Sequence, residues 1–226
     1  MTEYIIFALV APMGSFGEVA GHEWRGSNRW PSRSAILGLV GAALGVHRKD
    51  TQGQQSLRKW SYAVSVLSNN YPFQDFHTIQ TIPSANIKRP ATRRIALEAL
   101  KSNDNATLTR REYRSDCAFG IALWGGENIY VVAKALNLPC FTTYLGRKSC
   151  PLSAPMNAKV VESKTPQEAM KHIIFPPWMN SSIQPSIIIS DEFIPGSWQE
   201  SFWDDPIDRQ LWHFAQHQVY IAGYGE

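Results

Sequence analysis

The sequence has few cysteines and no long apolar segment, and each shortage excludes a class of protein. Its 226 residues include three cysteines, an odd number at wide spacings, so neither a disulfide framework nor a cysteine-based zinc site is expected. The longest strongly apolar run, Ala35 to Val46, is interrupted by glycines and is shorter than the roughly 20 residues that a membrane helix needs. The first residues lack the basic and then apolar segments of a secretory leader. We therefore expect a cytoplasmic protein with reduced thiols and no membrane contact.

Signatures of cofactor and metal binding are also missing. The sequence contains neither a Walker loop nor a dinucleotide fingerprint, so we expect no cofactor. His213 and His217 have the spacing of a zinc pair, but the first histidine is not followed by glutamate and no third ligand is evident. We interpret both as surface or packing histidines and expect no metal site.

The net charge is small but unevenly distributed. The formal charge is +3, while residues 1–150 hold 18 Lys and Arg against 10 Asp and Glu, and residues 151–226 hold 4 against 9. An anionic partner is therefore expected at the amino-terminal part.

The pattern of apolar residues predicts an α+β protein. Tyr4 to Ala11 is a continuous apolar run typical of a central strand covered on both faces. Ser32 is placed to cap a helix over Ser34 to His47, and its glycines at 38, 41 and 45 should let it pack closely on the sheet. Two more strands and a helix are predicted at Tyr62 to Leu67, Cys117 to Trp124 and about Ile129 to Asn137. The order, β-α-β and then β-α, resembles a ferredoxin-like fold.

The segment from His77 to Arg114 interrupts this order. It carries 8 basic residues against 3 acidic ones, and it is too polar to build its own core. We interpret it as a projecting arm with a short helix near Arg93 to Ser102. From Pro151 onward, proline-rich turns alternate with short strands such as Ser186 to Ile189 and Trp212 to Ala222. These features divide the chain into residues 1–152, with an insertion at about 77–114, and a smaller β-rich region over residues 153–226.

An arginine ladder, R-G-S-N-R-W-P-S-R-S from Arg25 to Ser34, places arginine at every fourth position. Gly26 and Pro31 argue against a continuous helix, so we expect an extended or looped course. In that course the arginines can reach successive anionic groups, and Trp30 offers a face for stacking. The ladder also leads into a helix N-terminus, where free N–H groups favour phosphate. The alternative is a surface loop whose arginines pair with local carboxylates such as Glu18.

Two further basic clusters lie in the same half of the chain. The string Y-L-G-R-K-S-C-P-L, Tyr144 to Leu152, places two adjacent cations after a glycine that permits close approach of a sugar-phosphate chain; the alternative is a plain turn before Pro151. The basic arm is the other cluster, which could equally be a solvated hairpin. Three basic elements together favour nucleic acid. Single-stranded or hooked RNA is favoured over duplex DNA, because no helix presents a row of polar side chains suited to a major groove.

Several strings, in order over residues 4–152, resemble the CasD family, whose members cap the 5′ handle of the guide RNA in type I-E CRISPR Cascade complexes. The similarity fades after about residue 155. The strings are A-P-M-G-S-F-G (Ala11 to Gly17), R-x3-R-x-P-S-R-S-A-I-L-G-L-V-G-A-A-L-G (from Arg25), D-F-H-T (Asp75 to Thr78), R-E-Y-R-S-D (Arg111 to Asp116), A-L-W (Ala122 to Trp124) and Y-L-G-R-K-S-C-P-L (Tyr144 to Leu152).

This resemblance implies a ferredoxin-like (RNA-recognition-motif-like) palm with a projecting β-hairpin thumb. The implied partners are the 5′ handle of the guide RNA, the large and backbone subunits of the complex, and target DNA through the complex. The segment between Thr78 and Arg111 is longer than the thumb of the family. The residues expected to bind RNA are Arg25, Arg29, Arg33 and Ser34 at handle phosphates or bases; His77, Arg111 and Tyr113 around the thumb base, with Arg110 of the basic arm; and Tyr144, Gly146, Arg147 and Lys148.

The resemblance also implies a non-catalytic role, because a separate subunit is expected to process the guide in type I-E systems. The alternative is a metal-independent endoribonuclease, as in relatives from another CRISPR subtype. Such cleavage needs a base for the 2′-hydroxyl and an acid for the leaving oxygen. His77 and Tyr113, with Lys88 for charge, are the candidates for these roles.

Overall fold

The computed structural model describes residues 1–18, 21, 23–80, 82, 87–98, 106–179 and 184–223. Within these residues no helix has the length and apolarity needed to cross a bilayer. The elements in chain order are β1 (Thr2–Gly14), β2 (Phe16–Gly17), β3 (Trp24–Arg25), β4 (Ser27–Asn28), α1 (Arg33–Leu44), α2 (Thr51–Leu57), β5 (Ser61–Val66), β6 (Pro72–Gln80), α3 (Arg93–Glu98), β7 (Ala106–Trp124), α4 (Ile129–Asn137), β8 (Lys159–Ser163), α5 (Pro166–Met170), β9 (Ile187–Ser190), β10 (Trp198–Asp208) and β11 (His213–Gly223).

One nine-stranded sheet organises the described chain. Its strand order is β10-β11-β9-β5-β7-β1-β8, and β3 and β6 also pair with β7. All of these pairs are antiparallel except β3 with β7, which is parallel. Six of the elements, β1, α1, β5, β7, α4 and β8, occur in this chain order as β-α-β-β-α-β with other elements between them, and their strands lie in the order β5-β7-β1-β8.

Strand β1 lies inside the sheet, as its apolar sequence predicts. Ile5, Phe7 and Leu9 enter the larger core together with residues of α1 and α4. Tyr4 and Ile6 enter a smaller core on the other face, which includes residues of α5. Burial on both faces is the physical reason why the apolar run is continuous rather than alternating.

The strand continues past the predicted end at Ala11. Pro12 has no N–H to donate, but the pairing with β7 resumes at Met13 in the same register. Proline is tolerated at a position that contributes no ladder hydrogen bond. The extension brings Gly14 opposite Arg114, and so leads the chain to the base of the basic arm.

Helix α1 has the predicted cap, but its glycines do not pack on the sheet. The Ser32 side chain accepts a hydrogen bond from the Ala35 amide, and Gly45 ends the helix in a left-handed conformation. The space beside Gly38 is bounded by Arg209, that beside Gly41 by the α2 residue Leu57, and that beside Gly45 by Cys140. The predicted contact with the sheet is therefore wrong. Larger residues make the helix contribution to the core: Ile36, Leu37, Val40 and Ala43.

The basic arm is a β-hairpin formed by β6 and the first half of β7. Its pairs run from Pro72 opposite Arg114 to Gln80 opposite Ala106, so the hairpin starts five residues before the predicted His77. The predicted short helix is present as α3, and residues 99–102 of that prediction lie outside the described residues.

The carboxy-terminal strands continue the central sheet. Strand β8 pairs with β1, and β9 pairs with β5, with β11 and β10 beyond it. Ile189 and Ile221 belong to the same core as Ile5. The predicted division of the chain into residues 1–152 and 153–226 stays a prediction. Strands from both parts belong to one sheet, and their apolar residues share one core.

Candidate nucleic-acid interface

The three basic segments meet at Ser15, the residue that follows β1. The Ser15 amide donates to the carbonyl of Leu145 at 3.1 Å, and its hydroxyl donates to the carbonyl of Glu112 at 3.0 Å. The next amide, that of Phe16, donates to the hydroxyl of Ser27 at 2.9 Å. We refer to residues 15, 24–29, 110–114 and 144–151 as the basic clamp.

The acidic side chain of Glu112 contacts other residues of the clamp. Glu112 accepts a hydrogen bond from the Ser27 amide at 3.2 Å and lies 3.7 Å from the Arg114 guanidinium. Arg114 also donates to the Ser27 carbonyl at 2.7 Å. These contacts fasten β4 to β7 and give Arg114 a structural role.

The turn after Tyr144 depends on Gly146. Tyr144 bridges to Pro151, and the Leu145 amide donates to the carbonyl of Cys150 at 2.8 Å. Gly146 has φ +82°, and a Cβ at this position would lie 1.8 Å from the Ser15 carbonyl oxygen. The glycine therefore permits close approach of the chain to itself, and the predicted approach of a sugar-phosphate chain stays a prediction.

The ring of Tyr113 is covered by two neighbours and is only 7% exposed. Phe73 stacks on it with the ring centroids 5.4 Å apart at an interplanar angle of 17°, and the Arg147 guanidinium carbon lies 4.7 Å from its centroid. The predicted place of Tyr113 beside the thumb base stays a prediction, and its ring is engaged within the protein. Tyr113 holds Arg147, one of whose buried terminal nitrogens has no hydrogen-bond partner among the described residues.

The strand register divides the predicted hairpin residues between two faces. Residues opposite one another in a sheet share a face, and successive residues of a strand alternate between faces. Arg111 lies between Arg25 of β3 and Asp75 of β6. The same face of β6 and β7, here the Arg111 face, also carries His77 and Tyr113. The register therefore places Arg25, His77, Arg111 and Tyr113 on one face.

The opposite face of β3, β6 and β7, which we call the Arg110 face, carries two aromatic residues, Trp24 and Phe76, that were not predicted as RNA contacts. Arg110 lies between Trp24 of β3 and Phe76 of β6. Trp24 is 47% exposed and Phe76 is 56% exposed, so the row is open to solvent. Aromatic rings beside a cation are a typical platform for unpaired bases. Each ring is adjacent in sequence to a predicted contact, but only the register shows that the two rings flank one arginine.

Arg33, predicted to bind the handle, is buried in a network of carboxylates and carbonyls. Its guanidinium donates to Asp205 at 3.1 Å and to Asp191 at 3.2 Å, and to the carbonyls of Trp60 and Arg58 at 2.8 and 2.7 Å. The residue is 7% exposed. The predicted phosphate contact is therefore wrong, because the donors of Arg33 are already used inside the protein.

The N-terminus of α1 is also occupied from within. The Arg33 amide donates to the Asp204 carboxylate at 2.6 Å, while Ser32 caps Ala35. The hydroxyl of Ser34 lies 3.0 Å from that of Ser32. A carboxylate of the chain thus takes the position predicted for a phosphate, since both anions satisfy the same amides and helix dipole.

His217 completes the buried network around Arg33. Its ring nitrogens lie 2.9 Å from Asp191 and 3.1 Å from Asp204. Burial alone would lower the pKa of His217, but the hydrogen bonds and charges of the two carboxylates outweigh it and raise the pKa to about 9. His217 is therefore cationic at neutral pH and ties β11 to Asp204 of β10 and to Asp191, which follows β9.

Arg25 and Arg29 follow the predicted extended course. Arg25 is exposed in β3, and the carbonyl of half-buried Arg29 accepts a hydrogen bond from Asn70 at 2.7 Å. Neither guanidinium forms an ion pair among the described residues. The alternative of local pairing with carboxylates such as Glu18 is not observed among the described residues. Lys148 is likewise exposed, and Tyr144 is half-buried.

The side chains proposed for RNA cleavage are not gathered at one point. Tyr113 lies opposite Phe73, four residues from His77 on β6, which corresponds to about 13 Å along a strand. His77 is hydrogen-bonded to Asp75, and Lys88 is exposed outside the hairpin strands. This arrangement does not place a base and an acid at one scissile phosphodiester.

Comparison with known proteins gives consistent matches over nearly the whole chain. The CasD subunit of the Escherichia coli (strain K12) CRISPR system Cascade is 33% identical over 230 residues, covering 100% of this chain and 98% of that protein. A chain of a CRISPR RNA-guided surveillance complex superposes with a TM-score of 0.71 at 22% identity, covering 97% of this chain and 89% of that one. A crystal structure of a Cas protein superposes with a TM-score of 0.67 at 21% identity, covering 97% and 94%. Residues 4–220 match the family described as CRISPR-associated protein (Cas_Cas5), and the chain therefore belongs to that family.

Proposed function

We propose that this chain is a non-catalytic RNA-binding subunit of a type I-E-like Cascade effector and holds the 5′ handle of the guide RNA. The observation that supports this most directly is the meeting of three basic segments at Ser15. Each of the three segments carries arginine or lysine side chains, and cations from distant parts of the chain are what a hooked, unpaired strand requires.

The central β-α-β-β-α-β unit is a ferredoxin-like palm, and the β6–β7 hairpin is its thumb. The strand order β5-β7-β1-β8 supports the first assignment. The second is supported by β7, which runs from the hairpin into the centre of the sheet without a break. A single strand shared by palm and thumb connects the hairpin cations directly to the central sheet.

The clamp residues fall into contacting and positioning groups. The contacting groups bind phosphate or base, and the positioning groups hold them in place. We assign contact to Arg25, Arg29, His77, Arg110, Arg111, Arg147 and Lys148, with Trp24 and Phe76 as base platforms. We assign positioning to Arg33, Ser34, Tyr113 and Gly146, and Tyr144 closes the turn.

The partners follow from this role. The guide RNA is bound directly, the large and backbone subunits of the complex pack beside it, and target DNA is reached through the complex, in the cytoplasm. The relative named as a Cascade subunit supports this assignment.

The test is binding of an RNA that carries the repeat-derived 5′ segment, measured by fluorescence anisotropy against a scrambled RNA of equal length. The variant R25A/R111A/R147A should lose affinity for the repeat-derived RNA, and its salt slope should fall by about 0.7 for each phosphate that the variant no longer binds. The matched control removes three exposed cations outside the clamp, K134A/K164A/K171A. Equal binding by the clamp variant and the wild type would reject the proposal.

Cleavage is tested separately by incubating the protein with repeat RNA in EDTA. The RNA should remain intact. Discrete cleavage that His77→Ala abolishes would replace the binding role with the endoribonuclease.

A further inference from the structure

A groove of about 1290 Å³ connects the basic clamp with the carboxy-terminal hairpin of β10 and β11. One end is lined by Ser15, Tyr144 and Gly146, and the middle by residues of α1. The other end is lined by Arg48, which follows α1, and by Arg209 and Trp212 between β10 and β11. We refer to these last three residues as the distal site.

The distal site is built by specific contacts. The Arg48 guanidinium carbon lies 4.7 Å from the centroid of the Trp212 ring. Arg209 donates to the carbonyl of Ser34 at 2.8 Å, and its guanidinium lies beside Gly38, where a Cβ would be 3.4 Å from a terminal nitrogen. Gly38, which does not pack on the sheet, thus leaves room for the Arg209 guanidinium beside α1.

The two guanidinium groups are close enough to repel each other. Burial and the charge of Arg48 lower the pKa of Arg209, and the charge of Asp205 offsets only part of this effect; an arginine nevertheless remains charged at neutral pH. Neither arginine forms an ion pair among the described residues, and the Nε of Arg209 is buried without a partner there. An anion between the two groups would relieve this repulsion.

The carboxylates of the groove wall do not supply that anion. Asp204 is held by the Arg33 amide and His217, and Glu18 lies at the clamp end, beside Gly26. Two histidines, His47 and His213, line the distal end instead. The chemistry at this end therefore fits a phosphate.

We infer that the distal site is a second nucleic-acid subsite, which binds a backbone phosphate of the single-stranded RNA that leaves the clamp along the groove. Trp212 holds Arg48 in place, and Ser34 and Gly38 hold Arg209. This inference rests on the proposed function, because the clamp supplies the strand. Continuity of the groove favours the same RNA chain over a separate ligand.

The experiment compares two RNAs on the purified full chain. One carries the repeat-derived 5′ segment alone, and the other carries the same segment extended at its 3′ end by about ten nucleotides, within the usual range of single-strand sites. The variant R48Q/R209Q should bind the short RNA as the wild type does. For the extended RNA its salt slope should fall by about 0.7 for each phosphate that is released from the distal site.

Three further variants separate charge, position and folding. Lys49→Gln removes an exposed cation next to Arg48 that does not line the groove, and it should leave both RNAs unaffected. Arg48→Gln alone keeps the Arg209 contact with Ser34, so it reports on the site even where the double variant is unstable. R48K should restore most of the salt slope, since it restores the charge.

The outcomes distinguish the two proposals. Wild-type protein that binds neither RNA better than scrambled RNA contradicts the clamp itself. Normal binding of both RNAs by R48Q and by the double variant contradicts the distal site alone. A distal variant that keeps its RNA affinity but fails to assemble with the other subunits would assign this surface to a protein and overturn the inference.

Discussion

Arg25 and Arg33 belong to one arginine ladder, yet they lie in opposite environments. Arg25 is exposed in a two-residue strand, while Arg33 is 7% exposed and donates to carboxylates and carbonyls. The spacing of the ladder predicts both as RNA contacts. What separates them is the carboxy-terminal hairpin, which brings Asp205 to Arg33 and is distant in sequence, so no local pattern reveals it.

This difference predicts opposite effects of the two alanine variants. Arg25→Ala should change the free energy of unfolding by less than about 0.5 kcal/mol and reduce the salt slope of RNA binding by about 0.7. Arg33→Ala should destabilise the protein by about 3–5 kcal/mol, because it leaves buried carboxylates unpaired. Urea unfolding and RNA titration of both variants check this. A fully stable Arg33→Ala protein with weakened RNA binding would show that Arg33 contacts RNA after all.

Gly146 and Gly196 form a second contrast between residues. Both have φ near +80°, but only Gly146 faces a backbone oxygen, 1.8 Å from an added Cβ; nothing lies within 4 Å of that position at Gly196. Gly196→Ala should cost about 1–2 kcal/mol of unfolding free energy from the left-handed backbone alone. Gly146→Ala should cost more and should also weaken RNA binding, because it displaces the turn that holds Arg147. Equal stability of the two variants, measured by urea unfolding, would show that the contact with Ser15 is unimportant.

The helices whose ends are marked by local sequence signals could be predicted closely. Helix α4 has the predicted bounds, and α1 starts after the predicted cap. The hairpin could be predicted as a projecting basic arm, but not its start at Pro72, because exposed strands lack the apolar pattern that marks the core. The two faces of the hairpin depend on the register of β6, β7 and β3, which residue types alone do not determine.

The Arg110 face gives a prediction for the hairpin. Phe76→Ala removes an exposed ring beside Arg110 and should weaken RNA binding by about 1–3 kcal/mol, with little change in stability since Phe76 is 56% exposed. Tyr130→Ala, which removes an exposed aromatic residue on α4, is the matched control. If the two variants bind RNA equally well, the Arg110 face carries no base.

Strand β11 gives a prediction for pH dependence through His217. The pKa of this residue is about 9 in the folded protein against roughly 6.5 in an unfolded chain. The stabilisation is therefore fully present below pH 6.5 and is lost as the pH rises through 9, by at most roughly 3 kcal/mol. Urea unfolding of the wild type at pH 6.5 and pH 9 should show this loss, and His217→Gln should flatten it. A stability that does not fall over this range would contradict the assigned charge of His217.

At the scale of the whole molecule, the two oppositely charged parts of the chain form one structure. The basic amino-terminal part supplies the clamp, and the acidic carboxy-terminal part supplies the carboxylates that hold Arg33 and His217. The sequence predicts the α+β class and the meeting of basic segments through their family resemblance. It does not predict that the carboxy-terminal strands extend the central sheet, because edge-to-edge pairing depends on tertiary contacts rather than on local pattern.

The most direct test of the clamp is ultraviolet crosslinking of the assembled ribonucleoprotein, followed by mass spectrometry of the RNA-linked peptides. Peptides that contain residues 24–29, 110–114 and 144–148 should all crosslink to the same repeat-derived nucleotides at the 5′ end of the guide. Crosslinks of those nucleotides to another subunit, or of only one of the three peptides to them, would contradict the account.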